Sequence, residues 1–212
     1  MIFHSDGFEF GSASPLFQKP WTNRGIITVA VAYRLRVFGF GTLANPLLPG
    51  NLGLWDQHAA LKWTNRNIAF FGGDKNRITI TGFSAGGVST IAHLLSPVSK
   101  GLARRGIALS GSALDNWGCR IPCTKHKQFA GFIHNFARSL NCSGSNDFAD
   151  LQCLQSASME DLLSVSNIPE NLDYRSAEDR WSTVVDGEFL PGPPKSLYKN
   201  IWGSNVDLMV RS

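Results

Sequence analysis

The chain has no apolar run long enough to cross a bilayer. The longest, around Ile26 to Tyr33, falls far short of the roughly 20 residues that a spanning helix needs. It also lacks a leader pattern: Met1-Ile-Phe is followed at once by His4, Ser5 and Asp6, with neither a basic stretch nor an extended apolar segment. Clustered positive charge is absent too. Lys100, Arg104, Arg105, Arg120, Lys125 and Lys127 are scattered without interleaved aromatics, so the net charge of +4 and pI near 9.0 read as solvated surface, and nucleic acid is not an expected partner. The 4 cysteines all lie between Cys119 and Cys153, with no CxxC and no His-rich spacing, so no metal centre and no cofactor is expected. Internal repeats and low-complexity tracts are missing as well.

What is present suits a buried core. With 43% hydrophobic residues, 212 residues are enough to form one domain spanning 1–212. Strand-like runs at Ile26–Tyr33, Ile78–Thr81 and Gly106–Leu109 alternate with helix-like segments at Leu54–Ala69 and Val88–Leu95, which predicts an α/β architecture around a parallel sheet. Continuous β-branched runs suit strands covered on both faces, hence a doubly wound sheet. From about Asp115 the sequence turns polar and helix-forming, with helices expected over Lys125–Leu140 and Phe148–Val165. Pro191–Pro194 reads as a turn or loop, and Val206–Val210 as a last strand.

One short pattern carries chemistry. Gly82-Phe83-Ser84-Ala85-Gly86 fits the nucleophile elbow G-x-S-x-G, directly after a strand-like segment and before a helix. The flanking glycines let the chain turn sharply from strand to helix, so that the Ser84 hydroxyl stands clear. The bland alternative is a Gly-rich turn whose serine merely caps the helix. His58 and His93 sit within helices, and His126 and His134 share a helix with Phe129, Phe132 and Phe136. All four read as packed or surface residues.

The chain resembles the type-B carboxylesterases, which include cholinesterases, lipases and the non-catalytic neuroligins. The resemblance runs in order through Tyr33-Arg-Leu-Arg-Val-Phe-Gly-Phe40, Pro49-Gly-Asn-Leu-Gly-Leu-Trp-Asp-Gln57, Ala60-Leu-Lys-Trp63, Asn67-Ile-Ala-Phe-Phe-Gly-Gly-Asp74, Ile78-Thr-Ile-Thr-Gly82, Ser84-Ala-Gly-Gly87 and Ser110-Gly-Ser-Ala113, with Val184–Leu190 as a further block. It implies an α/β-hydrolase fold with a partial, doubly wound, mostly parallel sheet whose N- and C-terminal parts are missing, resembling the middle two-fifths of an esterase. It also implies a small-molecule carboxylic ester as substrate and Ser84 as nucleophile. In this family the triad acid and histidine lie beyond the position matched by Ser212, which makes the 212 residues alone inactive on short-chain aryl esters in this reading.

His4-Ser-Asp-Gly-Phe8 resembles the family's His-Gly-Gly-Gly-Phe, whose backbone N–H groups bind the oxyanion together with that of the residue after the nucleophile. By that resemblance Gly7 and Ala85 are donors, and Asp6 stands at a further donor position, where a side chain must fit a conformation suited to glycine. Phe83 replaces a common Glu, and Arg36 replaces the usual Gly of Tyr-Arg-Leu-Gly, where a surface role is expected. Cys142 and Cys153 are spaced like a family disulfide, implying an oxidising compartment and secretion, whereas Cys119 and Cys123 have no counterpart and either pair or stay free. Asn141-Cys142-Ser143 is formally a glycosylation sequon. The altered Asp6 and Phe83 keep a second reading open: a family member without catalysis that serves as a neuroligin-like binding or adhesion module, or a non-functional truncated product.

Overall fold

The computed structural model describes residues 1–14, 19–115, 117–119, 126–142, 144–166, 181–201 and 205–211. Its centre is a parallel sheet in the order β2-β1-β3-β4-β5, formed by β1 (Ile2–Phe3), β2 (Ala30–Val31), β3 (Thr79–Phe83), β4 (Arg105–Leu109) and β5 (Asp207–Arg211). β3 and β4 pair along their whole length, from Thr79↔Arg105 to Phe83↔Leu109, and β4 pairs with β5 in the same way. The expected strand over Ile26–Tyr33 shrinks to Ala30–Val31. Its neighbour β1 offers only Ile2 and Phe3 as partners, so the ladder ends with Ile2↔Ala30 and Phe3↔Val31. The sequence reading placed no strand at Ile2–Phe3, because a two-residue run carries no periodicity.

The helices largely follow their patterns. α1 (Lys19–Thr22) and α2 (Arg36–Phe40) are short, and α3 (Leu52–Asn67) tightens into a 3-10 turn over Ile68–Phe71 that ends at Gly72. α4 (Ala85–Leu95) starts directly after Ser84, earlier than its apolar periodicity suggests, because its first turn is made of small residues. α5 (His126–Ser139) agrees with expectation, but the single helix expected over Phe148–Val165 is two, α6 (Asp147–Ser156) and α7 (Met159–Ser166). Ala157 is extended there, and the Ser158 hydroxyl accepts the Asp161 N–H at 3.0 Å, as a capping residue does. Pro194 begins α8 (Pro194–Ile201), so the proline-rich turn ends by starting a helix, where proline's missing N–H costs nothing.

On one sheet face Phe3, Val31 and Ile80 pack against Leu61 of α3 and Leu94 of α4. The opposite face carries a cavity of about 360 Å³ lined by Ile2, Ile27, Ile68, Thr79 and Ile107 among others. The Asn51 side chain, fully buried, both donates to Val184 O at 2.7 Å and accepts from Val184 N–H at 2.9 Å, which ties the Val184–Leu190 block to the start of α3. Cys142 and Cys153 form a disulfide that joins the end of α5 to α6. Beside it, Asp150 accepts from Gly144 N–H and pairs with His134 Nδ1 at 2.8 Å; the Gly144 bond first, then His134, holds its carboxyl below the usual range. Cys119 is buried and disulfide-bonded, while Cys123 and Ser143 lie outside the described residues, as do the side chains of His126, Phe129 and Phe132.

α3 and α4 are joined by a buried polar chain. Gln57 donates through Nε2 to Ser89 Oγ at 3.1 Å and turns its carbonyl oxygen to His93 Nε2 at 3.2 Å, so that nitrogen carries the ring proton. His93 Nδ1 then accepts from Ser99 Oγ at 2.8 Å, and Ser99 accepts from His58 Nδ1 at 3.1 Å. Phe3 stacks on the His93 ring and Phe189 meets it edge-on. Burial first, with the nearby His58 second, pushes His93 down to about 3. The unfolded chain takes up this proton at the ordinary value of 6.5 and the folded chain only near 3, so the unfolded form binds more protons in between. Stability therefore falls as pH drops from 6.5 toward 3, by up to about 1.4 kcal/mol per pH unit for this group. His4 and His58 are depressed too and add to the slope. Urea unfolding between about pH 7 and pH 5 should show this decline, and His93→Gln should make it shallower; an unchanged slope would remove His93 as its source.

Candidate active site

β3 ends in Phe83, and the next residue carries the turn. Ser84 has φ 54° and ψ −119°, a backbone conformation that is strained for any residue with a side chain. Its N–H donates to Leu109 O at 2.9 Å, and its carbonyl accepts from Val88 N–H at 3.0 Å, the first bond of α4. The backbone of Ser84 is thus fixed from both sides. Its side chain makes no capping bond to the helix, so the bland reading of a capping serine does not describe it. Phe83 is 55% exposed beside it.

Close packing holds this turn. A Cβ on Gly86 would stand 2.3 Å from Phe3 O, so the first turn of α4 lies directly on the end of β1. A Cβ on Gly111 would stand 2.1 Å from Ser84 O, so the chain leaving β4 closes the other side. Neither contact leaves room for a methyl group. The elbow therefore sits at the carboxyl ends of β1, β3 and β4, the usual crevice of an open α/β sheet.

β1 leads at once into the loop that holds Asp6 and Gly7. Asp6, Gly7 and Phe8 all have positive φ, at 73°, 67° and 64°, and Asp6 O accepts the N–H groups of Glu9 at 3.0 Å and Phe10 at 3.2 Å. This is one left-handed turn. Phe8 is fully buried and packs on Phe40 with ring centroids 4.3 Å apart. His4 is buried and stacks on Tyr33 at 4.1 Å, and the Tyr33 hydroxyl donates to His4 O at 2.9 Å. Burial lowers His4, opposed by its bond to Ser5 O and by Asp6, and burial drives the Tyr33 hydroxyl well above its ordinary range.

Among the described residues, the backbone N–H groups of Asp6, Gly7 and Ala85 have no hydrogen-bond partner. Ala85 opens α4, so its N–H also lies at the positive end of the helix dipole. An unpaired donor at a helix N-terminus, directly after a serine whose hydroxyl does not cap that helix, suits a developing negative charge. Asp6 is exposed, and its carboxylate lies on the Gly11 side of the loop.

No described histidine hydrogen-bonds to Ser84. His58 and His93 belong to the buried chain between α3 and α4, and His134 pairs with Asp150 and Asp147. His4 lies against Tyr33. The disulfide of Cys142 and Cys153 sits at the α5–α6 junction. Among the described residues, no group of His, Cys, Asp and Glu could hold a metal ion, and no helix is long and apolar enough to cross a membrane.

Two features escaped the sequence reading. His58 and His93, each read as a packed or surface residue within its own helix, gave no sign of the His93–Gln57–Ser89 chain, since nothing local says that α3 and α4 meet there. Arg36, expected at the surface, is half-buried and bonds to the loop after Asp6.

A carboxylesterase family model matches residues 1–211. The chain is 36% identical over 195 residues to the mouse protein named pyrethroid hydrolase Ces2a, covering 92% of this chain and 32% of that protein. It is 38% identical over 181 residues to human bile salt-activated lipase (84% and 23%), and 39% identical over 152 residues to a carboxylic ester hydrolase of Bombus ignitus (72% and 26%). The chain thus spans a third or less of the length of these relatives. Gly111→Ala should force the turn at Ser84 apart and destabilise the fold by about 1–3 kcal/mol, the range of an overpacked core site, measurable as a lower urea midpoint with unchanged slope.

Proposed function

The chain belongs to the carboxylesterase family, and from that premise we propose that the native protein carrying these residues hydrolyses small carboxylic esters through an acyl-enzyme on Ser84. The observation that carries this reading is the Ser84 turn, with a hydroxyl free of helix capping and unpaired N–H groups of Gly7 and Ala85 in the adjoining backbone. In the proposed reaction Ser84 Oγ attacks the ester carbonyl carbon as a general base takes the hydroxyl proton. The carbonyl oxygen becomes an oxyanion held by the Gly7 and Ala85 N–H groups. Collapse of that intermediate breaks the bond to the alcohol, which leaves with the proton, and water then releases the carboxylic acid and restores Ser84. The base is none of the described histidines.

Asp6 and Phe83 shape this chemistry. The N–H of Asp6 is a third donor, but its carboxylate repels the charge that forms in the transition state. Phe83 presents an exposed apolar ring beside Ser84 and favours uncharged ester groups. The Cys142–Cys153 disulfide supports maturation in an oxidising compartment and secretion.

In the native protein that carries these residues, a fluorophosphonate probe should label Ser84, and Ser84→Ala should abolish labelling. A folded protein whose Ser84 stays unlabelled contradicts the esterase reading and favours a binding role. Asp6→Gly removes a carboxylate and a strained side chain while keeping the donor, so it should raise the labelling rate by roughly 10- to 100-fold.

A further inference from the structure

We propose that Arg36 is a positioning residue of the loop after β1, clamping Phe8, Glu9 and Phe10 so that the left-handed turn carrying the unpaired N–H groups of Asp6 and Gly7 keeps its shape. This inference rests on the esterase reading for its consequence in catalysis, and on geometry alone for the clamp.

The loop needs an external hold. Asp6, Gly7 and Phe8 all have positive φ, and of these only Gly7 adopts it without strain. Such a turn made by L-residues relaxes unless its surroundings over-determine it. Its N-terminal limb is fixed by the Tyr33 hydroxyl on His4 O, and its end by the burial of Phe8 against Phe40. Its C-terminal limb is met by Arg36. The Arg36 backbone N–H donates to Phe8 O at 2.8 Å, its Nε donates to Glu9 O at 2.8 Å, and its guanidinium lies 4.3 Å from the centroid of the Phe10 ring. One residue thus engages Phe8, Glu9 and Phe10 in succession, and the N–H groups of Glu9 and Phe10 are those that close the turn on Asp6 O.

Arg36 itself has φ 51°, a conformation that glycine adopts freely and arginine does not. A side chain with no task beyond solubility would not call for arginine at such a position. The planar guanidinium can donate in its plane to Glu9 O while its face covers Phe10, which a lysine ammonium cannot do. Arg36 and Asp6 are therefore coupled: where a side chain at position 6 strains the donor turn, the side chain at position 36 holds it.

Arg36→Gly separates the side chain from the backbone, because glycine keeps the left-handed φ and the N–H to Phe8 O while losing the contacts to Glu9 and Phe10. Hydrogen exchange at the amides of Glu9 and Phe10 should rise at least about tenfold in Arg36→Gly relative to the unaltered protein, with global unfolding in urea little changed. The rate of fluorophosphonate labelling at Ser84 should fall by about 10- to 100-fold, as expected for a misplaced donor, and Arg36→Lys should recover only part of either change. Unchanged exchange at Glu9 and Phe10 overturns the clamp. Altered exchange with an unaltered labelling rate overturns its role in positioning the donors. If the unaltered protein resists the probe while Arg36→Gly still raises exchange, the clamp stands and the esterase reading fails. Should Arg36→Gly not fold, Arg36→Lys carries the same comparison.

Discussion

The approach of α4 to the strand ends around it is the contact on which the remaining geometry depends. Gly86 lies on Phe3 O and Gly111 on Ser84 O, at distances that admit no side chain. Because the helix begins immediately after β3 and is pressed between β1 and the chain leaving β4, the reversal between strand and helix falls on one residue. That residue, Ser84, takes up the strain in its own φ and ψ. A looser junction would let the turn spread over several residues, and the hydroxyl would fold back onto the helix N-terminus as an ordinary cap.

The same contact decides where the loop of Asp6 and Gly7 starts. Gly86 touches the last residues of β1, and the chain then passes through His4 and Ser5 into the left-handed turn at Asp6. Whatever fixes β1 against α4 therefore fixes the origin of the loop relative to Ser84. Beneath it, Phe3 stacks on His93, which is locked through Gln57 and Ser99 to α3 and to the turn after α4. A neutral histidine serves well there, because it can donate from one nitrogen and accept at the other without a buried charge. The polar chain orients α3 and α4, and the glycine contacts set how near α4 and its preceding turn come to β1 and the chain leaving β4.

The legible parts of the fold were those whose pattern is local. Ile78–Thr81 and Gly106–Leu109 read as strands and pair as β3 and β4, since each is a short apolar run bounded by turn residues. The helix-like segment Leu54–Ala69 corresponds to α3 and the 3-10 turn that follows it. The split of Phe148–Val165 was missed because Ala157 and Ser158 do not break a periodic pattern; the extended Ala157 and the Ser158 cap on Asp161 show it. β2 was read too long because the length of a strand is set by its neighbour, and Ile2–Phe3 was too short to announce itself. The disulfide of Cys142 and Cys153 came from family resemblance and is present.

The sequence by itself determined the family and the order of strands and helices around Ser84, because these reside in ordered blocks of neighbouring residues. Only tertiary structure decided what Asp6, Arg36 and His93 do. Arg36 lies far from Glu9 and Phe10 along the chain, and His93 far from Gln57, so their contacts exist only once the sheet and its helices have closed. A positive φ, likewise, is not written in the letters Asp, Ser or Arg. It is imposed by packing that leaves the backbone no other path.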